Sequence, residues 1–357
     1  MEGQQIAEAE PAGKPAPVVE IIHRGPRYCV RFLRCNDTPW AVVCFEYWKP
    51  EPTLDGEFSG EGFFRHRSLN AFGIMAAEND WFQDDEILAA LAAIRAVSAG
   101  WRLIGYGGSM GGFAAINFAN DLGLASVAVV IPQFSIDAAK APYETRWRGE
   151  AGRIAFRHDK IDAVPALTDG WIVYDPWCVD GLHVADIQRF HALGELRVHF
   201  GGHAQMLMLQ QAEVYTPMLL DMLEERFDPA AFRRSWRVAR RRSAAYWLGL
   251  AQALLRRGRP MAALRALAAS RALPHPEPAW IDLTEAEVFT VLGRVTEARD
   301  LAGRWMGDAA FGPVAAGVLA KLPASRDGFW RRVLAKVRRI PQRGWAAGTR
   351  RCNRLRG

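Results

Sequence analysis

The chain has 357 residues, half of them hydrophobic, which is enough material for two packed cores. The net charge of +6 is concentrated at one end: Arg326–Gly357 carries eleven Lys/Arg and one Asp, so the rest of the chain is acidic overall. That distribution argues against a nucleic-acid-binding core. The five cysteines (Cys29, Cys35, Cys44, Cys178, Cys352) lack metal-ligand spacing and argue against a disulfide framework.

Residues 1–17 are acidic, polar and rich in Ala, Pro and Gly, unlike the basic-then-apolar start of a signal peptide, and are expected to be disordered. No apolar run approaches the roughly 18 residues of a membrane span. The expectation is a soluble, cytoplasmic protein. VVEIIHR and RYCVRFLR, separated by Gly25-Pro26, predict an antiparallel hairpin. AVVCFEYW (Ala41–Trp48) and LNAFGIMAA (Leu69–Ala77) are the next strand-like runs. ENDWFQDDE (Glu78–Glu86) reads as a helix start with Asn79 or Asp80 as cap; the alternative is a wall for an acyl or sugar pocket. Asp84–Ala99 has helical spacing, with Ile87, Leu88, Leu91 and Ile94 on one face.

The most informative stretch is RLIGYGGSMGGFAAINFA (Arg102–Ala119). It predicts a buried strand over Arg102–Gly107, a tight turn G-G-S-M-G, then a helix. The turn fits the G-x-S-x-G nucleophile elbow, in which a strained turn holds the serine proud of the sheet. Small residues are needed where strand and helix backbones crowd, and Gly107, Gly108, Gly111 and Gly112 supply them. Ser109 is therefore the expected nucleophile, against the plainer reading of a helix-capping serine.

SVAVVIPQF (Ser126–Phe134) predicts another strand, and the polar segment 135–169 interrupts the rhythm. In that segment Tyr143, Arg146, Trp147, Arg148 and Arg153 suit an anionic or glycan substrate, or else form a solvated charged surface. GWIVYDP (Gly170–Pro176), a helix around Val184–Leu193, LRVHFGG (Leu196–Gly202) and an amphipathic helix to about Glu225 complete the pattern. Short β-rich runs alternating with helices imply a mostly parallel sheet with helices on both faces. His203 follows the last strand in a loop without bulky neighbours, the placement of a general base, although a surface capping histidine has the same local sequence. His199 is expected inside the strand and structural, and His183 and His191 on the intervening helix. For the acid, Asp180 lies in the loop after WIVYDP and is favoured over Asp175, whose Asp-Pro context suits a turn.

This order of elbow serine, acid and histidine resembles the α/β-hydrolase superfamily over 18–228, with a small cap at 135–169. The resemblance implies a serine hydrolase that cleaves a carboxylic ester or thioester through Ser109, His203 and Asp180 (alternative acid Asp175). It also implies an oxyanion hole made by the Met110 N–H and one donor among Phe45, Glu46 and Tyr47, although no HGG or HGGG string is present. No cofactor or metal motif accompanies it. Alternatives in the same frame are acyl transfer to a glycan hydroxyl, and a non-catalytic adaptor.

FRRSWRVARRR marks a basic linker at 229–243, after which the sequence becomes Ala/Leu-rich. The region 244–322 resembles tetratricopeptide repeats. One unit has Trp247, Leu250, Ala251, Ala263 and Leu267, and a weaker copy has Trp280, Leu283, Ala286, Leu292, Gly293, Ala298 and Leu301. This implies a C-terminal all-α domain able to bind a protein partner, with a degenerate third unit from Pro313. The basic tail 323–357, with FWRRVLAKVRRIPQRGW, suits peripheral contact with an anionic membrane or plain disorder.

Overall fold

Eight strands form one sheet in the order β1-β2-β4-β3-β5-β6-β7-β8. They are β1 (Val18–Arg24), β2 (Tyr28–Arg34), β3 (Trp40–Phe45), β4 (Ala71–Ala76), β5 (Arg102–Gly108), β6 (Ser126–Val130), β7 (Gly170–Tyr174) and β8 (Gly194–Arg197). The computed structural model describes residues 17–275 and 277–323. The expected hairpin is present: β1 pairs antiparallel with β2, and β2 antiparallel with β4. Every later pairing is parallel.

Alternate residues of β3 serve opposite faces. Ala41, Val43 and Phe45 join one buried cluster, and Val42 and Cys44 the other. A sheet covered on both faces needs apolar residues at every position, which is why AVVCF reads as a continuous hydrophobic run. The covering helices are α1 (Glu61–His66), α2 (Ile87–Val97), α3 (Met110–Asn117), α4 (Ala119–Leu122), α5 (Arg148–Ala151) and α6 (Val179–Ile187), followed by α7 (Gln205–Gln211), α8 (Tyr215–Leu223) and α9 (Pro229–Ala239).

Several expectations are corrected. The stretch 229–243 is not a linker: Asp228 caps α9, with Pro229 in the first turn, and Phe232, Trp236 and Ala239 are buried. ENDWFQDDE does not start a helix. Trp81 and Phe82 have φ of 53° and 57°, Asn79 pairs with the Lys49 backbone, and α2 begins at Ile87. The last strand stops at Arg197, so His199 lies beyond it and stacks on Trp177 at 4.3 Å. The helix expected around Val184–Leu193 begins earlier, at Val179, so His191 falls past its end. The amphipathic helix after it breaks into α7 and α8 at Glu213, whose φ is 59°.

The chain divides into two compact units, 1–278 and 279–357. The first takes in α10 (Ala244–Arg256) and α11 (Pro260–Arg271), which pack on each other and in which Ala251, Ala263 and Leu267 are buried. Its boundary lies beyond the basic stretch, inside the region expected as one helical domain. The second unit contains α12 (Ala279–Val291), α13 (Val295–Gly303) and α14 (Gly312–Ala320) around Leu283, Ala286, Ala302, Ala315 and Val318. The two expected repeat units correspond to α10–α11 and α12–α13 and fall in different compact units. The tail beyond Pro323 and the residues before Pro17 lie outside the described residues, as does most of the third repeat past α14. Among the described residues, no helix is long and apolar enough to cross a membrane.

Candidate active site

β5 ends at Gly108 and α3 begins at Met110, so Ser109 alone makes the turn. Its φ of 52° and ψ of −117° lie where L-residues are strained. The surroundings hold it there. Its N–H donates to the Val130 carbonyl at 3.0 Å, and its carbonyl accepts the Phe113 N–H at 3.0 Å. A Cβ at Gly107 would stand 2.3 Å from the Gly111 backbone, and one at Gly111 would stand 2.3 Å from the Phe45 carbonyl. The flanking glycines are therefore steric requirements of the turn, as the sequence pattern suggests.

The structure brings Ser109, His203 and Asp180 together. Ser109 Oγ lies 3.0 Å from His203 Nε2, and His203 Nδ1 lies 3.1 Å from Asp180 Oδ2. Asp180 sits in the first turn of α6 and is fully buried, where the helix N-terminus favours its negative charge. Burial would raise its pKa. The hydrogen bond and charge of His203, and then Arg146, outweigh that and hold the carboxyl down to about 2. A proton on Nδ1 points at the ionised Asp180 and leaves Nε2 to accept from the Ser109 hydroxyl, whereas Arg146 Nη1, 3.1 Å from Nδ1, favours the other tautomer.

Asp175, the alternative acid, is occupied elsewhere. It accepts the Trp177 N–H and the Gly202 N–H, both at 3.0 Å. It shapes the end of β7 and anchors the loop that carries His203.

Sequence reasoning did not place Glu144 at the site and read Arg146 only as part of a charged, aromatic segment. Arg146, from the segment between β6 and β7, donates from Nη2 to Asp180 Oδ1 at 2.7 Å and to Glu144 Oε2 at 2.6 Å. Glu144 also accepts the Arg146 backbone N–H at 2.7 Å. Burial pushes the Glu144 carboxyl up, but the His183 and Arg146 hydrogen bonds bring it down to about 2. His183 is fully buried; its Nδ1 accepts the Phe134 N–H at 3.1 Å, so Nε2 carries the proton and donates to Glu144 at 2.9 Å. Trp147 follows Arg146 and places its ring 6.2 Å from the His203 ring. The only sequence signal here was the cluster of arginines and aromatics. The spacing of Arg146 and Asp180, 34 residues apart, gives no hint of contact.

Of the expected oxyanion donors, Met110 opens α3, where helix geometry leaves its N–H without an intrahelical acceptor. Glu46 does not serve: its N–H donates to the Ile74 carbonyl at 3.2 Å, and its carboxylate accepts from Ser59 and Lys49. Phe45 is the last residue of β3 and registers with Ile74 of β4. Tyr47 stands just past the strand, exposed, and lines a cavity of about 540 Å³ that His203, Gly107 and Gly108 also border. Phe63, Tyr106, Met206, Leu207 and Leu219 make the rest of that cavity mainly apolar.

No protein-family model and no curated protein matches the chain. Solved structures resemble it at low identity. A capsule O-acetyltransferase of Neisseria meningitidis serogroup A is 12% identical with a TM-score of 0.41, covering 55% of this chain and 91% of its own. An α/β serine hydrolase without a lid, from Xanthomonas campestris, is 15% identical with a TM-score of 0.37, covering 64% and 97%. A fluorophosphonate-binding serine hydrolase of Staphylococcus aureus is 14% identical with a TM-score of 0.39, covering 60% and 100%.

Proposed function

We propose that this protein is a serine hydrolase of the α/β-hydrolase type that cleaves a carboxylic ester or thioester. The observation that carries the reading is the unbroken hydrogen-bonded series from Ser109 Oγ through His203 to the buried Asp180, built on a strained turn at the end of a parallel strand. Such strain persists only where the surrounding structure over-determines it, and it gathers at functional sites.

In this mechanism His203 Nε2 takes the hydroxyl proton as Ser109 Oγ forms a bond to the acyl carbon. The carbonyl electron pair moves onto oxygen. The oxyanion is held by the N–H of Met110 and that of Tyr47, a pair whose single members are worth about 3 kcal/mol each. The pair then returns, the bond to the leaving oxygen or sulfur breaks, and that atom takes the proton from Nε2. Water repeats the steps in reverse and frees the acid. Asp180 stays ionised throughout and offsets the charge of the imidazolium. The apolar cavity beside His203 takes the acyl group.

The test is labelling by a fluorophosphonate followed by mapping of the adduct. A single adduct on Ser109, lost in Ser109→Ala and strongly slowed in His203→Ala, is the expected result. Folded wild-type protein that takes no label at Ser109 removes the reading and leaves the scaffold as a binding module. The helical pairs α10–α11 and α12–α13 supply surfaces for a protein partner in either case, and co-purification with and without α12–α14 tests that.

A further inference from the structure

We infer that Arg146 is a positioning residue that sets the acid limit of this site by acting on Asp180 and His203 together. The inference rests on the triad reading above. Arg146 Nη2 shares Asp180 Oδ1 with the histidine side of the site, and Arg146 Nη1 stands 3.1 Å from His203 Nδ1 itself. When Nδ1 carries its proton toward Asp180, that close approach sets two N–H groups face to face. It is tolerable while the imidazole is neutral and unfavourable once it is a cation. When Nδ1 is bare, Arg146 donates to it, and the proton then sits on Nε2, where it cannot accept from Ser109. The Asp180 carboxylate decides between these arrangements, and Arg146 fixes that carboxylate.

The arginine is not free to swing away. Glu144 grips it through Nε, Nη2 and its backbone N–H, and Glu144 is in turn held by the buried His183 of α6. Only 29% of the Arg146 side chain is exposed, and both carboxylates it bridges are buried. The charged and titratable groups bonded to His203 are thus Asp180 from α6, Arg146 from the segment between β6 and β7 and Ser109 on its far nitrogen, while Asp175 holds the adjacent Gly202 N–H and Tyr47, Tyr106 and Tyr215 line the cavity it borders. Behind them stand Glu144, His183 and the Cys178 thiol, 3.5 Å from Asp180. A guanidinium 3.1 Å from Nδ1 repels a second positive charge on the imidazole. A purely structural ion pair predicts no such effect.

The experiment measures the rate of Ser109 labelling by a fluorophosphonate across the pH range in which histidine titrates, for wild type, Arg146→Gln and Arg146→Lys. Removing the cation lets the imidazolium form more easily, so the acid limb of Arg146→Gln moves to higher pH by about one unit. Arg146→Lys keeps the charge but loses the fork geometry; its limb stays at the wild-type position while the rate falls. An acid limb that stays in place in folded Arg146→Gln overturns the inference. Should Arg146→Gln fail to fold, the lysine variant decides: a limb displaced upward in Arg146→Lys also overturns it. Wild type that labels at Ser109 with an unmoved limb in the variants sinks only this inference, whereas unlabelled wild type sinks the triad reading beneath it.

Discussion

The Asp175 carboxylate accepts the Gly202 N–H at 3.0 Å, one residue before His203, while Asp180 takes the imidazole itself. Two carboxylates five residues apart thus share one histidine loop, one holding its backbone and the other its side chain. Asp180→Asn keeps the shape but presents the wrong partner to Nδ1, so turnover and labelling are expected to fall by roughly ten-thousand-fold, with a stability loss on the order of 2 kcal/mol from a buried carboxylate held down to about 2. Asp175→Asn weakens the acceptor of two backbone N–H groups, so it should lower the unfolding midpoint by the equivalent of about 1–3 kcal/mol. Its activity should drop far less. Rates and melting curves for both variants check this, and the opposite pairing of effects would assign the acid to Asp175.

The strain at Ser109 has its own signature. Glycine adopts positive φ freely, whereas alanine keeps the Cβ that makes this turn costly. Ser109→Gly and Ser109→Ala should both abolish labelling, but the glycine variant should be the more stable by about 1 kcal/mol, after allowing for its larger unfolded-state entropy. Equal midpoints in urea for the two would mean that the turn carries no strain worth relieving.

Much of this arrangement is legible in the sequence because its signals are local. The strand, glycine-bracketed turn and helix around Ser109 occur within eighteen residues, from Arg102 to Ala119, and the β-rich runs alternate regularly with helical ones. What escapes local reading depends on distant contacts. β4 lies between β2 and β3, and no pattern in LNAFGIMAA specifies that order. The last strand ends at Arg197, and Phe200, at φ 74°, bends the chain beyond it. The bridge from Glu144 through Arg146 to Asp180 joins residues whose local sequence reads only as charged surface. In α9, by contrast, a signal was present: Phe232, Trp236 and Ala239 fall at helical spacing beneath an arginine-rich composition.

Glycine substitutions at the elbow should separate steric need from mere flexibility. A methyl group at Gly107 or Gly111 meets backbone atoms at 2.3 Å, and backbone cannot step aside. At Gly112 the nearest atoms are those of Pro132, at 3.1 Å. Gly107→Ala and Gly111→Ala are expected to lose more than about 3 kcal/mol or to accumulate as insoluble protein. Gly112→Ala should fold with a smaller loss, on the order of 1–2 kcal/mol. Denaturant titrations of the three variants test the ranking, and a well-folded Gly111→Ala would show that β3 and α3 are less tightly apposed.

Glu144 links the site to the acid stability of the molecule. Its carboxyl titrates near 2 in the folded state, against an ordinary value of 4.5. A group whose pKa is depressed by folding stabilises the native state above its unfolded pKa, and that contribution disappears as pH falls through the folded value. Glu144 should therefore contribute stability on the order of a few kcal/mol at neutral pH, fading between about pH 5 and pH 2. Replacing it by glutamine keeps the shape and removes the charge, leaving Arg146 with Asp180 as its remaining carboxylate partner. The stability gap between wild type and Glu144→Gln, measured by urea unfolding, should be widest at neutral pH and should close as the solution is acidified. A gap that stays constant with pH would mean that Glu144 contributes through packing alone.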